Sequence, residues 1–197
     1  MKSKEHCRGL LEKYIASFSK LNEMAAAEEI DPIAWQLATG EADQYGFKKW
    51  RPLRFEAERS ALDVLYQELP ARFPPLFEAL VLSYRWAEVD LGSYRLVANP
   101  PGQDLSGLLN KMAGAPDLWE MLIPAGFIQF GKGPGFDFDP ICFDIRSRSK
   151  SGDYRIVKID HEGILCNYRV KIVDELALSF EQLVINTINR ANSTLPV

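Results

Sequence analysis

The feature that most constrains the fold is a change in hydrophobic periodicity near Tyr94. Before this residue, apolar side chains recur at the helical spacing; after it, the chain breaks into short β-prone runs bounded by Gly, Pro, Asn or charged residues. Strands that follow one another, with helices before and after them, are typical of an α+β domain. We therefore predict an α+β fold: a mostly antiparallel sheet of about five or six short strands, packed by helices, with a helical N-terminal extension.

The first sixty residues have the pattern of helices. Apolar residues repeat at the helical spacing from Leu10 to Leu21, and a second helix is predicted from the cap Asp31 and Pro32, through Ile33, Trp35 and Leu37, to about Gly40. A third helix is predicted at about 55–69, and a fourth begins at Pro74 or Pro75. On this basis we divide the chain into a helical extension, residues 1–60, and an α+β domain, residues 61–197.

Five short runs have the composition of strands. They cover residues 94–98, 126–130, 141–145, 154–159 and 169–173, and a helical insert at 105–123 separates the first two. The glycine-rich segment after the second run, Gly131 to Gly135, lacks the ending of a phosphate-binding loop and is followed by strand-like sequence instead of a helix. We interpret it as a flexible connection between two strands.

The C-terminal helix has the clearest local signal in the chain. Ser179 and Gln182 fit a capping box, in which each side chain satisfies a backbone donor of the first turn, and Leu178 and Leu183 stand at the positions of a hydrophobic staple. An apolar stripe follows at helical spacing, formed by Phe180, Leu183, Val184, Thr187, Ile188 and Ala191. We predict that this stripe covers the sheet.

Composition excludes several classes of protein. The formal net charge of −4 disfavours direct nucleic-acid binding, which needs a basic surface, and the three cysteines form no CxxC pair. The sequence shows neither a secretory signal nor an apolar run of the roughly 20 residues that span a bilayer. We expect a cytoplasmic protein that contacts no membrane and needs no cofactor or metal.

A catalytic alternative rests on three residues. Asp144, Asp160 and His161 could hold a divalent cation and activate water, which would make the chain a metal-dependent hydrolase. The spacing matches no metal motif, so a solvated or hydrogen-bonded cluster is the preferred interpretation. Pairing of Cys142 or Cys166 with His161 would give a nucleophilic dyad, although nothing in the sequence brings these residues together. A scaffold or ligand-binding module, self-associating through its N-terminal helices, is a further alternative.

The order of several motifs resembles the SUKH superfamily, the Smi/Knr-type group that includes many bacterial immunity proteins. The similarity covers about 62–189 and includes the segments 69–78 (LPARFPPLFE), 127–131 (FIQFG), 139–144 (DPICFD), 156–162 (IVKIDHE) and 179–183 (SFEQL). The resemblance implies a non-enzymatic α+β domain that binds a protein partner. In bacteria that partner is commonly a toxin of a polymorphic toxin system.

This resemblance and the polar loops lead to one predicted partner surface, made of the loop 132–139, the loop 146–153 and a turn at His161. An acidic surface would suit the basic active site of a nuclease toxin. We predict no catalytic residues, and the oligomeric state stays open. The predicted partner-binding residues are Lys132, Asp137, Asp139, Asp144, Arg146, Arg148, Asp153, Asp160, His161 and Glu162.

Overall fold

The computed structural model describes residues 4–21, 36–42, 44, 48–102 and 104–193. The helices in this part of the chain are α1 (Lys4–Leu21), α2 (Asp63–Glu68), α3 (Pro75–Ser83), α4 (Ser106–Met112), α5 (Pro116–Leu122), α6 (His161–Asn167) and α7 (Phe180–Ser193). The strands are β1 (Ala38–Thr39), β2 (Lys49–Trp50), β3 (Leu53–Arg54), β4 (Tyr84–Arg85), β5 (Val89–Asp90), β6 (Arg95–Leu96), β7 (Phe127–Lys132), β8 (Pro140–Asp144), β9 (Arg155–Ile159) and β10 (Ile172–Ala177).

The main sheet has six strands in the order β10-β9-β8-β7-β6-β5, and every neighbouring pair is antiparallel. Two smaller antiparallel pairs, β1–β2 and β3–β4, lie outside it. The α+β prediction, with about six short strands and helices packed on them, is confirmed. Of the helices described, none is both long and apolar enough to cross a bilayer.

One face of the sheet packs against α1, α3 and α7 in an aromatic core. The rings of Phe130 and Phe143, on neighbouring strands, stack with centroids 4.2 Å apart. Phe77 of α3 meets Phe143 edge-on at 5.1 Å, and Phe180 of α7 meets Phe77 edge-on at the same distance. The buried stripe of α7 therefore covers the sheet as predicted, because burying large rings provides much of the driving force for packing.

The other face of the sheet is covered as well. A second apolar cluster joins α5, α6 and the central strands, and its buried members are Leu118, Leu122, Phe127, Cys142, Val157, Ile159 and Ile164. Cys142 and Phe143 point to opposite faces because side chains alternate along a strand. Burial raises the pKa of the Cys142 thiol well above its ordinary value, so this cysteine acts as a small apolar residue.

Helix α1 belongs to the main core. Leu11, Tyr14 and Phe18 are buried in the same cluster as the aromatic side chains of the sheet. The hydroxyl groups of Tyr14 and Tyr94 lie 2.6 Å apart, and Tyr94 is 3.3 Å from the hydroxyl of Thr187 on α7. The division of the chain after residue 60 stays a prediction, but α1 is packed on the same core as the sheet.

In the described residues 36–42 and 48–58, the end of the predicted second helix and the start of the predicted third helix are not formed as expected. Asp31, Pro32, Ile33 and Trp35 lie outside the described residues, whereas Leu37 precedes the strand β1. Residues 49–54 form β2 and β3, and the predicted helix at 55–69 begins only with a 3₁₀ turn at Arg59–Leu62. Phe55 is held extended because its amide donates to the carbonyl of Ser83, 2.9 Å away.

The helical insert predicted at 105–123, interrupted at Gly114 and Pro116, is confirmed as two helices, because Pro116 begins a second helix after Ala113 ends the first. The next two elements differ from the prediction. The turn predicted at His161 is the start of α6, and the following strand runs from Ile172 to Ala177, later than the predicted 169–173. The carboxylate of Asp160 caps α6, because it accepts a hydrogen bond from the amide of Gly163 at 2.9 Å.

Candidate docking site

The two polar loops predicted to form one surface lie at opposite ends of the sheet. In the β8–β9 pair, Asp144 is opposite Arg155, whereas Ile141 is opposite Lys158. The loop before β8 (residues 133–139, here the aromatic loop) therefore shares an end with the start of α6. The loop after β8 (residues 145–154, here the polar hairpin) lies at the other end. The single surface combining both loops and the His161 segment is wrong, because consecutive antiparallel connections alternate between ends.

Two phenylalanines of the aromatic loop face solvent. Phe136 is 95% exposed and Phe138 is 54% exposed. The ring of Phe138 meets the His161 ring edge-on at 6.3 Å and lies 5.8 Å from the guanidinium of Arg95. Exposed aromatic rings are a common feature of binding hot spots, since they provide a large apolar area with few rotatable bonds.

Asp139 connects the aromatic loop to α6. Its Oδ1 atom lies 2.6 Å from Nδ1 of His161 and accepts a hydrogen bond from the His161 amide at 3.0 Å. The backbone carbonyl of Asp139 accepts from the amide of Gly133 at 2.9 Å, which closes the loop on itself. The predicted residues Asp139 and His161 are thus brought together, but as partners of each other.

Asp137 forms a second anchor. Lys158 of β9 donates to its Oδ2 atom at 2.9 Å, and the amide of Asp139 donates to its Oδ1 atom at 2.9 Å. Burial alone would raise the pKa of the Asp137 carboxyl, but these hydrogen bonds outweigh it and the pKa is lowered. The hydrogen bond to Asp137 raises the pKa of Lys158, so both groups are charged at neutral pH.

Neighbouring strands hold the rest of the aromatic loop. Arg95 of β6 donates to the carbonyls of Gly133 and Asp137 at 3.0 and 3.3 Å, and the amide of Gly135 donates to Asp90 at 2.9 Å. A Cβ atom at Gly133 would collide with the Asp137 carboxylate, so only glycine fits there. The segment interpreted as a flexible connection is therefore tied to β6 and β5 through Gly133 and Gly135, and Asp137 and Asp139 after it tie the loop to β9 and α6.

At the opposite end, Asp144 is a buried carboxylate with two arginine partners. Arg146 Nε and Arg155 Nη2 donate to it at 2.7 and 2.8 Å. Burial would raise the pKa of the Asp144 carboxyl, but the two arginines reverse the effect and lower it. The Asp144 side chain was predicted to contact a partner, but it is fully buried and no partner can reach it. The guanidinium of Arg146 also lies over the ring of Phe127, 4.3 Å from its centroid.

Asp153 is also removed from the predicted partner surface by burial. Its Oδ1 atom accepts from the amides of Tyr154 and Phe180 at 2.8 and 2.9 Å, and Oδ2 is 3.4 Å from the amide of Glu181. The carboxylate therefore caps the N-terminus of α7, where the helix dipole favours negative charge. This cap is 27 residues away in sequence, and no local pattern predicts it.

The capping box predicted at the same helix is half present. Ser179 Oγ accepts from the amide of Gln182 at 3.0 Å, as expected. The Gln182 side chain donates a hydrogen bond to Asn186 instead of bonding to the backbone of Ser179, so the prediction of the reciprocal bond is wrong. Since Asp153 already satisfies amides of the first turn, the helix start has acceptors from two separate segments.

The remaining predicted residues have separate positions. Lys132 ends β7 and lies 3.5 Å from Glu88; Asp160 caps α6, and Glu162 is exposed beside His161. Arg148 lies on the polar hairpin and lines a cavity described below. The aromatic loop end therefore gathers Lys132, Asp137, Asp139, Asp160, His161 and Glu162, and the polar hairpin end gathers Asp144, Arg146, Arg148 and Asp153.

The residues of the catalytic alternative do not converge. Asp144 is paired with Arg155 at the start of β9, whereas Asp160 lies five residues after Arg155, just past the end of this strand. At about 3.4 Å per residue, this places Asp160 about 17 Å along the strand from the position opposite Asp144. Within the described ranges, no three His, Cys, Asp or Glu side chains are grouped to hold a metal ion. Cys142 is buried beneath α5 and α6, and Cys166 is exposed on α6.

The exposed residues Phe136 and Phe138 are absent from the partner-binding residues predicted from the sequence. They alternate with Asp137 and Asp139 in a loop rich in glycine and proline, and aromatic residues in such a polar loop were the available signal. Comparison of the chain with protein-family models, with curated proteins and with solved structures finds no match.

Proposed function

We propose that the chain is a non-enzymatic protein-binding domain that docks through the aromatic loop. The observation that carries the proposal is Phe136, a phenylalanine 95% exposed at the tip of a loop whose neighbouring residues are fixed by hydrogen bonds and ion pairs. A partner that buried this ring would gain apolar contact area. The entropy cost of ordering the loop would be small, because the free protein already holds it in place.

The surroundings of Phe136 have the arrangement of an interface rim. Phe138 supplies a second half-exposed ring, and charged groups surround it: Arg95, Lys132 and Glu88 on one side, Asp137, Asp139 and Lys158 on the other. Most of these charges are paired within the protein. These charges would orient a partner and make its binding specific. Most of the binding affinity would come from burial of the two aromatic rings.

The partner class follows from the motif order. The similarity to SUKH proteins supports an immunity role, in which the domain covers the functional surface of a bacterial polymorphic toxin. The exposed loop supports the same role, because an inhibitor needs a preformed projection that enters or caps a concave site. We infer that this chain neutralises a cognate toxin, and that cytoplasmic binding without turnover is its activity.

Co-expression tests this proposal. Toxin genes adjacent to the gene for this chain would be expressed with the wild-type chain, the Phe136→Ser variant or the Leu178→Ser variant. Leu178 is a matched control because it is 72% exposed and lies after β10, at the opposite end of the sheet. We expect the wild type and Leu178→Ser to restore growth and Phe136→Ser to fail. Failure of the wild-type chain to bind or protect against any of these toxins would contradict the immunity role.

A further inference from the structure

A cavity of about 490 Å³ opens at the end of the sheet opposite the aromatic loop. It lies between α3, the Arg59–Leu62 turn and the polar hairpin. Four cationic side chains line it: Arg59, Arg72, Arg148 and Lys150. One carboxylate, Glu78, is among the lining residues. The lining therefore has a net charge of +3 on a chain whose formal net charge is −4.

The single carboxylate does not neutralise this charge. Glu78 accepts from Arg59 at 2.7 Å and from the hydroxyl of Tyr66 at 2.7 Å, so both of its oxygens are occupied. In the part of the chain that the structure describes, Arg72, Arg148 and Lys150 form no ion pair. All three residues are exposed, and all three line the same cavity.

The polar hairpin presents its cations from an ordered turn. The Ser149 amide donates to the carbonyl of Asp153 at 2.8 Å, and the Gly152 amide donates to the carbonyl of Ser149 at 3.0 Å. Gly152 has a φ of +84°, a conformation that favours glycine, and it places the turn beside Pro75. Ser149 and Ser151 also line the cavity, and their hydroxyls are hydrogen-bonded to each other at 2.8 Å, which leaves one of the two O–H groups to donate to an anion.

The start of α3 adds to the positive potential. Pro75 is the first residue of this nine-residue helix and lines the cavity, and no side chain caps its N-terminus. The positive end of the helix dipole thus lies at the cavity beside the arginines. The cavity volume falls within the range of small-molecule pockets, roughly 300–1,000 Å³.

We propose that this cavity binds a small organic phosphate that carries two or more negative charges. Guanidinium groups bind phosphate oxygens through paired hydrogen bonds, and Lys150 adds a compact point charge. The excess of three positive charges suits a phosphate monoester or diphosphate better than a single carboxylate. This site is separate from the proposed protein-docking loop, and neither proposal depends on the other.

Calorimetric titration with pyrophosphate tests the proposal. We expect saturable one-to-one binding by the wild-type chain at about 50 mM salt, weakened several-fold at about 200 mM salt because exposed charges are screened. The double variant Arg148→Gln/Lys150→Gln should bind at least about tenfold more weakly, since it loses two charge-assisted contacts. The variant Phe136→Ser should bind pyrophosphate as the wild type does, which separates this site from the docking loop.

A charge-matched control separates a built site from general attraction. Lys111→Gln/Arg169→Gln removes two exposed cations from α4 and from the segment after α6, and it should leave pyrophosphate affinity unchanged within about twofold. Circular dichroism and the melting temperature verify that each variant is folded. The single variant Lys150→Glu, which reverses one charge of the lining, provides a second test of the cavity. Absence of saturable binding by the wild type, or equal weakening in the cavity and control variants, would overturn the proposal.

Discussion

The carboxylate of Asp139 accepts hydrogen bonds from both the backbone and the ring of His161, with distances of 3.0 and 2.6 Å to one oxygen atom. This pair joins the end of the aromatic loop to the first residue of α6. His161, which belongs to the catalytic alternative, and Asp139, predicted to contact a partner, are thereby used to position a loop. The exposed ring of Phe136 lies three residues before Asp139, so the pair also limits where that ring can project.

Removing this connection should loosen the aromatic loop without unfolding the protein. We expect Asp139→Ala to lower the free energy of unfolding by about 1–3 kcal/mol, because it removes a part-buried acceptor of two hydrogen bonds. Hydrogen exchange should become faster at the amides of His161 and Gly133. Glu162→Gln, an exposed neighbour of His161, is the control and should leave both amides protected. Unchanged exchange in Asp139→Ala would contradict this role.

The buried carboxylate Asp144 should contribute stability that depends on pH. We expect Asp144→Asn to cost about 2 kcal/mol at pH 7, measured by urea unfolding, because both arginine partners lose a charged acceptor. The folded-state pKa of Asp144 is lowered, so its contribution is present above the unfolded pKa of about 3.9. It is lost as the pH falls through the lower folded value.

The difference in stability between wild type and Asp144→Asn should therefore shrink at acid pH. Asp174→Asn, an exposed carboxylate on β10, serves as the comparison. A difference that stayed constant from neutral pH down to about pH 3 would contradict the assigned ion pairs.

The distant cap of α7 should matter more than the local one. Asp153→Ala removes the acceptor of the amides of Tyr154, Phe180 and Glu181, and we expect a loss of about 2 kcal/mol. Ser179→Ala removes an exposed acceptor of one amide, and we expect a loss of about 1 kcal/mol or less. Chemical denaturation of both variants compares them directly. A larger effect from Ser179→Ala would show that the local capping box dominates.

The buried hydroxyl pair should be visible in an alkaline titration. Burial raises the pKa of Tyr94 to about 12 and that of Tyr14 well above its ordinary value. Ultraviolet titration of the folded protein should therefore show these two phenols ionising well above pH 10, the ordinary pKa of a tyrosine side chain. We expect Tyr94→Phe to cost about 1–2 kcal/mol, and Tyr168→Phe to cost almost nothing. Ionisation of every tyrosine near pH 10 would contradict the burial of this pair.

The sequence predicts elements whose stabilising contacts are local. Helix α7 has a regular apolar stripe and the Ser179 cap, and the central strands alternate or run continuously apolar between turn residues. Extended segments near residue 55 were predicted as helix because their partners are distant: the amide of Phe55 pairs with Ser83, which no local pattern reveals. Helix α6 is too short, at seven residues, to show a period.

The candidate site was only partly predictable. The loop 132–139 and the His161 segment do share one end of the sheet, but the loop 146–153 lies at the other end, as the predicted antiparallel order already implies for consecutive loops. The roles of the acidic residues could not be found from sequence, because the arginines, lysine and helix start that neutralise them come from other elements. The basic cavity likewise brings together residues 59 to 152, with no motif linking them.

The central claim is that the ordered aromatic loop is the docking element. Hydrogen exchange of the purified chain, alone and in complex with its cognate toxin, tests this claim most directly. The account predicts that binding slows amide exchange within residues 133–139 and at the start of α6, with little change at Leu178. Slowed exchange confined to other surfaces, with the amides of 133–139 exchanging as fast as in the free protein, would contradict it.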